Sequence, residues 1–361
     1  MRKNLGKRML VIAAAAMMLA ASLTGCGKTA ASDKGEVVAT LGDEKIYLKE
    51  ANLYARVTQA QYESAYMAYF GEEMWTVDMS GDGSTLEANV KDSTIENVKQ
   101  IHLMAAHAEE YKVELTEDDD KTIKETAASI MESWDDALIK ATGADEKYLI
   151  ELLGYSTLAD KVYQAAIADV DTEVSDEEAA QKSISYAFIS TAGTPAEDGT
   201  TTALTDDEKA ALKVTAQTIA DTAKTGGDFQ AAVEGAGYTV YDDSYGADST
   251  DLDAALIAAA DALTDGGVSD VIEGDGAYYV VKMVSTADAE ATATRKEEIV
   301  AERQNTAFAD IYAAWEKEVE FKLDEEVWAT ITFDEPIIVA EETTAEETTE
   351  ETAAEETTEE K

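Results

Sequence analysis

The sequence of 361 residues contains only one cysteine, two prolines and two histidines. A single cysteine excludes an internal disulfide and any site built from several thiolates. The chain must therefore rely on a hydrophobic core, and its length is enough for two or three domains. Basic residues are also few, because 28 Lys and Arg stand against 76 Asp and Glu, a formal net charge of −48. This imbalance argues against nucleic acid as a direct partner.

The N-terminus has the order of a lipoprotein signal peptide. Four basic residues within the first eight precede a short apolar run, and the run is followed by LTGC, which ends at Cys26. The run is shorter than the ~20 residues of a membrane-spanning helix. We expect a signal peptide over 1–25, a diacylglycerol on Cys26 and a tether over 26–35. This anchor would hold the chain on the extracytoplasmic face of a Gram-positive cell membrane. An ordinary signal peptide and a membrane helix are the alternatives.

The C-terminal segment is acidic and of low complexity. Residues 341–361 include ten glutamates, one lysine and no aromatic residue, so this stretch cannot bury enough apolar surface to fold. We expect a disordered, self-repelling tail over 336–361. Cation binding and a spacer through the cell wall are the alternatives for its role.

The sequence of the mature chain predicts a helical module that is interrupted by a second, smaller domain. Two alternating runs around Gly42–Asp43 predict a hairpin, and long helices with apolar stripes follow, so that residues 36–178 form a mostly helical module. Residues 180–286 predict a small α+β domain that begins and ends with a strand. Residues 288–335 return to helix, followed by strands near 320–333. The fold class is therefore α+β, with the small domain inserted into the helical module.

One loop resembles part of a calcium site. Asp78, Ser80, Asp82 and Gly83 match the first half of a calcium-binding loop. The twelfth position of that loop requires a bidentate glutamate, and here it is Asn89. We expect a polar loop between helices, with calcium binding as the alternative.

The two histidines lie on one predicted helix. His102 and His107 are five residues apart, so they do not share a helix face, and no further ligands are evident. We expect a pair of surface or half-buried side chains rather than a metal site. No metal and no other cofactor is predicted for this chain.

Four ordered segments of the α+β domain resemble a parvulin, or rotamase, domain. The segments are SISYAFIS (183–190), GGDF (226–229), LDAALIAAADALTDGGVSDVI (252–272) and GAYYVVKM (276–283). With the signal peptide and the helical flanks, the mature chain resembles PrsA-type foldase lipoproteins and SurA-type chaperones. The resemblance implies a peptidyl-prolyl cis-trans isomerase domain with chaperone flanks. It also implies unfolded or partly folded exported proteins as partners, and it leaves a homodimer open.

The chain departs from the parvulin pattern in the implied substrate pocket. The strand-one histidine of parvulins falls at Ala187, and the histidine of the closing strand falls at Tyr279. The Met and Phe that hold the proline ring fall at Leu252 and Leu256. Ala187, Leu252 and Leu256 are therefore the substrate-binding residues that the resemblance implies.

Tyr279 and Asp242 are the catalytic candidates by resemblance, because the central Cys or Asp of parvulins falls at Asp242 or its neighbour Asp243. Prolyl isomerisation needs neither proton transfer nor a covalent step, so a pocket that prefers the twisted amide is sufficient. The Tyr279 ring would fill the volume vacated at Ala187. We expect the scaffold to be preserved and the isomerase activity to be weak or absent.

Other function classes share parts of this pattern. A solute-binding lipoprotein of a transporter would show strand–helix alternation across two lobes, whereas long helices come first here. A surface adhesin with an acidic stalk is a third class. Aromatic residues of the first helical stretch are candidates for a client groove, with core packing as their alternative role: Tyr54, Tyr62, Tyr66, Tyr69, Phe70 and Trp75.

Overall fold

The computed structural model describes residues 34–79, 81–195 and 201–338. Cys26, the signal peptide 1–25, most of the tether and the tail beyond residue 338 lie outside the described residues. Within the described ranges, no helix is both long enough and apolar enough to span a bilayer. The chain forms two compact units, and we call residues up to Ala168 and from Phe308 onward the helical unit and Asp169–Ala307 the central unit.

The elements follow one another in three groups along the chain. The first group is β1 (Val37–Leu41), β2 (Glu44–Tyr47), α1 (Leu48–Phe70), a 3-10 helix (Glu72–Thr76), α2 (Leu86–Ala106), α3 (Ala108–Tyr111), α4 (Glu117–Ser133), α5 (Asp136–Thr142) and α6 (Glu146–Ala166). The second group is β3 (Lys182–Ser190), β4 (Thr194–Pro195), β5 (Thr201–Thr202), α7 (Asp206–Lys224), α8 (Phe229–Gly235), β6 (Val240–Tyr245), α9 (Ala254–Asp261), β7 (Ile272–Gly274) and β8 (Ala277–Ser285). The third group is α10 (Ala289–Glu318), β9 (Phe321–Leu323) and α11 (Glu325–Trp328).

The helical unit contains a three-stranded sheet in which two strands precede the central unit in sequence and one follows it. Its order is β2-β1-β9, and both pairs are antiparallel. The hairpin predicted around Gly42 joins β1 to β2, and Gly42 has the positive φ of 57° that such a turn favours. Because β9 follows the central unit in sequence and pairs with β1, the helical unit is interrupted by the central unit.

Side-chain caps define where the helices of the helical unit begin. The sequence predicts Thr116 as the N-cap of a helix, and in the structure it forms a capping box with Asp119 at the start of α4. The sequence predicts that this helix continues through Ile130 and Trp134 to about residue 141. In the structure α4 ends at Ser133, because Asp135 accepts a hydrogen bond from the Leu138 amide and starts α5. Caps of this kind typically contribute about 1 kcal/mol each.

The central unit is a four-stranded antiparallel sheet with helices on both faces. The strand order is β6-β3-β8-β7. On one face Ala187, Ile189 and Val280 pack with the residues of α7 and α8. On the other face Ile184 and Met283 pack with α9. This unit has the α+β architecture that the sequence predicts.

The strands expected near 320–333 are only partly present. Phe321–Leu323 forms β9, but the stretch VWATITF does not form a strand. Asp324 accepts a hydrogen bond from the Val327 amide and starts the short helix α11. The N-cap therefore overrides the β-branched composition of the stretch.

The packed part of the chain extends further than the expected boundary at residue 335. Ile337 is buried in the helical unit, and the amides of Ile337 and Ile338 donate to Glu63 Oε2 at 2.8 and 2.9 Å. Glu63 is itself buried on α1. Residues 336–338 thus belong to the helical unit rather than to the acidic tail, because a buried carboxylate satisfies the amides of Ile337 and Ile338.

Candidate functional site

Four aromatic side chains share one face of the sheet in the central unit. Phe188 on β3 pairs with Tyr279 on β8, and Tyr186 on β3 pairs with Tyr241 on β6. Residues opposite each other in antiparallel strands point to the same face, and so do alternate residues of one strand. The ring centroids are 5.6 Å apart for Tyr186 and Tyr241, 6.2 Å for Tyr186 and Tyr279, and 5.6 Å for Phe188 and Tyr279. We call these four residues the aromatic face.

The aromatic face has a buried floor and an open rim. Tyr279 is 8% exposed, whereas Phe188 is 39% and Tyr241 is 43% exposed. Large aromatic side chains that stay exposed beside a buried ring offer apolar surface to a partner. The arrangement suits a short extended peptide that lays an apolar ring on the floor.

Helix α9 forms one wall of this face. Leu256 is 1% exposed and packs with Tyr279, and Leu252 lies partly buried against the same cluster. Asp253 begins α9 by accepting a hydrogen bond from the Ala255 amide at 2.7 Å. Because Asp253 also accepts from the Asp275 amide at 2.8 Å, it ties α9 to the turn between β7 and β8.

Gly274 allows the closing turn to approach this wall. A Cβ placed on Gly274 would overlap the Asp253 carboxylate and the Tyr279 ring. Any larger residue would therefore push the ring or the carboxylate out of place. The glycine before the closing strand is thus required by the packing of Tyr279.

The structure brings together three of the predicted site residues and separates two. Tyr279, Leu252 and Leu256 lie in one cluster. Ala187 is fully buried on the opposite face, where it pairs with Val280 and packs against α7 and α8. A one-residue error in the register of a strand moves a side chain to the other face, and the residue on the site face is Tyr186.

Asp242 also lies on the opposite face. It pairs with Ser185, and the Ser185 hydroxyl donates to Asp242 Oδ1 at 2.5 Å. Its neighbour Asp243 pairs with Ile184, so Asp243 is the acidic residue of β6 on the side of the aromatic face. The signal for this register was the alternation of Tyr186 and Phe188 with small residues in SISYAFIS.

The environment favours the protonated hydroxyls of Tyr279 and Tyr186. Burial, and then the charges of Asp253 and Asp275, raise the pKa of Tyr279 above its ordinary value. Burial, and then the charge of Asp243, likewise raise the pKa of Tyr186. Both hydroxyls are therefore hydrogen-bond donors at neutral pH. The central unit contains no histidine, so no imidazole contributes here.

Comparison with known families assigns this part of the chain. The model of the PPIC-type PPIase domain, Rotamase_2, matches residues 155–293. These residues are therefore similar to a PPIC-type PPIase domain, and we call the matched segment the PPIase domain. The resemblance to a parvulin-type isomerase that the sequence predicts is confirmed, and the aromatic face lies within the matched residues of the PPIase domain.

Solved structures similar to the chain include foldases and a chaperone. The foldase PrsA of Lactococcus lactis is 16% identical, with 82% of this chain and 97% of that chain covered at a TM-score of 0.30. PrsA of Streptococcus pneumoniae is 20% identical, with 70% and 97% covered at 0.28. A SurA-like chaperone of Campylobacter jejuni is 10% identical, with 80% and 98% covered at 0.28. No curated protein matches the chain. At these scores the assignment of the PPIase domain rests on the family model.

The helical unit exposes a second apolar surface at the end of α1. Tyr66, Tyr69 and Phe70 are 45%, 83% and 49% exposed, and Val77 and Met79 close by are also exposed. We call these five residues the helix-end patch. The spacing of the three aromatic residues places them on one side of α1.

The remaining aromatic candidates of this region have a structural role. Trp75 is buried in the core of the helical unit, and Tyr54 and Tyr62 pack partly buried against that core. The Tyr62 ring lies 5.9 Å from the Trp75 ring. The client-groove candidates therefore divide into three exposed residues and three that pack in the core.

The two histidines have different environments. His102 is 2% exposed, and its Nδ1 and Nε2 lie 2.8 and 2.9 Å from Glu44 Oε1 and Glu50 Oε1. Burial lowers the pKa of His102, but the two carboxylates outweigh burial and raise it to about 10. His107 stacks on Trp315 with ring centroids 4.2 Å apart. The expectation of surface or half-buried histidines is therefore wrong for His102.

In the loop that partly matches a calcium site, backbone amides donate hydrogen bonds to the aspartate side chains. The amides of Gly81 and Gly83 donate to the two carboxylate oxygens of Asp78 at 2.6 and 2.9 Å. Asp82 accepts from the Ser84 amide at 2.9 Å. Ser80 lies outside the described residues. Among the described residues, no group of three or more His, Cys, Asp and Glu side chains is arranged to hold a metal ion.

Proposed function

We propose that this chain is a foldase that acts on unfolded or partly folded exported proteins. The PPIase domain would isomerise prolyl bonds, and the helical unit would hold apolar segments of the same client. The observation that carries this proposal is the insertion of a PPIC-type PPIase domain into a helical unit with exposed aromatic residues. Each unit supplies one of the two operations that a foldase requires.

The aromatic face can accelerate isomerisation by binding alone. The uncatalysed barrier is about 20 kcal/mol and its crossing takes tens of seconds. A site lowers this barrier when it binds the twisted amide more tightly than the planar one. The Tyr279 floor and the Leu256 wall would hold the proline ring away from water. The Tyr186 hydroxyl would donate a hydrogen bond to a carbonyl oxygen of the peptide.

The same geometry predicts slow turnover. Leu252 and Leu256 enclose a proline ring less completely than Met and Phe would, because their side chains are shorter or lack an aromatic face. Partly exposed Tyr241 and Phe188 leave one side of the floor open to water. We therefore propose a modest isomerase whose main effect comes from holding a client near the site.

The helix-end patch supports the holding role. Exposed aromatic residues on one side of a helix bind the apolar segments of unfolded chains. Residues 57–90, which include the patch, contain no Lys or Arg. A client segment that combines apolar and basic residues would therefore meet no repulsion from basic residues of this stretch.

We also propose that the chain is anchored to the outer face of the cell membrane. The support is the sequence alone: a basic start, a short apolar run and LTGC before Cys26. Two or three acyl chains on Cys26 would suffice for stable anchoring. Mass spectrometry of the protein from its own membrane would give a lipid-modified Cys26 as the N-terminal residue.

A solute-binding lipoprotein is the alternative function, and the sheets argue against it. Two-lobed binding proteins are built from strand–helix alternation around largely parallel sheets. Every strand pair in the described residues is antiparallel. A surface adhesin would carry the same kind of lipid anchor as a foldase or a solute-binding lipoprotein, so a functional assay must distinguish the three classes.

The test uses the full chain and a denatured secreted protein with a slow, proline-limited refolding phase. We expect the chain to suppress aggregation of the client and to shorten its slow phase. The double variant Tyr69→Ser, Phe70→Ser should lose suppression and keep isomerisation of a short peptide. Val214→Ser is the matched control, because Val214 is 65% exposed on α7, away from the helix-end patch in sequence. A double variant that suppresses as well as the wild type would refute the holding role.

A further inference from the structure

Three carboxylates border the aromatic face of the PPIase domain. Asp243 on β6 lies on the same side of the sheet as Tyr186. Asp253 and Asp275 lie at the opposite edge, where the Asp275 amide donates to Asp253 Oδ2 at 2.8 Å. Asp243 and Asp275 are exposed to solvent. A peptide that crosses the face from β6 to β8 would therefore meet negative charge at both ends.

Three lysines of the central unit form ion pairs with acidic side chains other than these three carboxylates. Lys182 is the nearest lysine of β3 on this side of the sheet, and it pairs with Asp261 at 2.7 Å. Lys213 and Lys224 project from α7, where they pair with Glu273 and Asp270. No ion pair within that part of the chain involves any of the three carboxylates. The open rim thus presents carboxylates that form no ion pair within the described central unit to a peptide.

From this arrangement we infer that Asp243, Asp253 and Asp275 select prolyl bonds that are flanked by a lysine or an arginine. The inference rests on the proposed isomerase function, and it names the substrate class of the same site. A basic residue next to the proline would approach one carboxylate while the proline ring lies on Tyr279. A glutamate at that position would be repelled. The attraction is between exposed charges, so it is modest and salt-dependent.

The experiment compares three peptides that differ only in the residue before proline: Lys, Gln or Glu. The full chain is assayed for kcat/KM with each peptide at low salt. We expect the Lys peptide to exceed the Glu peptide by about tenfold, since each surface contact contributes a few-fold. At 0.5 M NaCl the ratio should fall to about twofold, because that salt concentration screens exposed charges.

Two matched double variants locate the effect. Asp243→Asn with Asp275→Asn should reduce the Lys-to-Glu ratio to about twofold. Asp270→Asn with Glu273→Gln removes the same charge, but these side chains pair with α7, which covers the other face of the sheet. This control should keep the tenfold ratio. Asp253 is left unchanged because it begins α9.

The outcomes separate this inference from the proposed function. Turnover of the Gln peptide with equal rates for Lys and Glu would refute the charge selection and leave the isomerase intact. Absence of turnover with all three peptides would refute the isomerase. In that case, NMR titration of the affinity for each peptide still tests the charge selection. Tighter binding of the Lys peptide than of the Glu peptide would support it, and equal binding would refute it. A ratio that both double variants change equally would also overturn the assignment to these residues.

Discussion

Replacement of His102 by glutamine should remove a buried charge from the helical unit. His102 lies between Glu44 and Glu50, and Glu50 is only 6% exposed. His102→Gln leaves the Glu50 carboxylate buried without a positive partner. Breaking a buried ion pair in this way is strongly destabilising, whereas replacing both partners is much less so. Glu50→Gln in the His102→Gln background should therefore restore most of the lost stability.

The magnitude follows from the pKa of about 10 for His102 in the folded unit. The ordinary value of an exposed histidine is about 6.5, so the folded state binds the proton more tightly than the unfolded state. The contribution is fully present below pH 6.5 and is lost as the pH rises through 10. It amounts to about 3 kcal/mol at pH 7.5, and it declines by about 1.4 kcal/mol for each pH unit in between.

The assay is urea unfolding followed by tryptophan fluorescence. The four tryptophans are Trp75, Trp134, Trp315 and Trp328, and all of them belong to the helical unit, so the signal reports this unit alone. The difference in unfolding free energy between wild type and His102→Gln should be larger at pH 7 than at pH 9. A difference that does not change with pH would show that the ring is neutral, and the reasoning would be refuted.

Three further predictions concern the PPIase domain and the contact of Glu63 with the Ile337 and Ile338 amides. Leu256→Ala should lower the unfolding free energy of the central unit by about 3 kcal/mol, because removal of a fully buried side chain leaves a cavity. Amide hydrogen exchange in β8 measures this loss, and Leu252→Ala, at a half-exposed position, is the control with a smaller expected loss. The kcat/KM of the PPIase domain should be constant from pH 6 to pH 9, because the pKa of Tyr279 is raised above its ordinary value and the domain lacks histidine; a transition near pH 7 would contradict this. Glu63→Gln should destabilise the helical unit by about 2 kcal/mol, because the Ile337 and Ile338 amides lose a charged acceptor; faster proteolysis at residues 333–338 reports it.

The sequence predicts the order of the elements where the patterns are strong. The hairpin β1–β2 alternates clearly, the apolar run of β8 follows a glycine-rich turn, and Thr116 marks where α4 begins, whereas the start of α5 at Asp135 is not predicted. The sequence does not predict strand β6, because it is an edge strand in which most side chains are exposed. Its sequence, VYDDSY, carries no hydrophobic alternation and looks like a polar loop.

The site and the buried environment of His102 are harder to predict from the sequence than the fold, for two physical reasons. Side-chain direction along a strand has a period of two, so the one-residue shift from Tyr186 to Ala187 selects the wrong face. Ion pairs between distant segments leave no local pattern: His102 meets carboxylates that are 58 and 52 residues away. Both kinds of information reside in the register and the packing of the folded chain.

Exchange spectroscopy of a proline-containing peptide with the full chain tests the central claim most directly. The cis and trans forms of the peptide interconvert in tens of seconds unaided. We predict faster interconversion together with shifts of the Tyr186, Tyr241 and Tyr279 ring signals when the peptide is added. An unchanged interconversion rate with unperturbed ring signals would contradict the assignment of the aromatic face as the site of the PPIase domain.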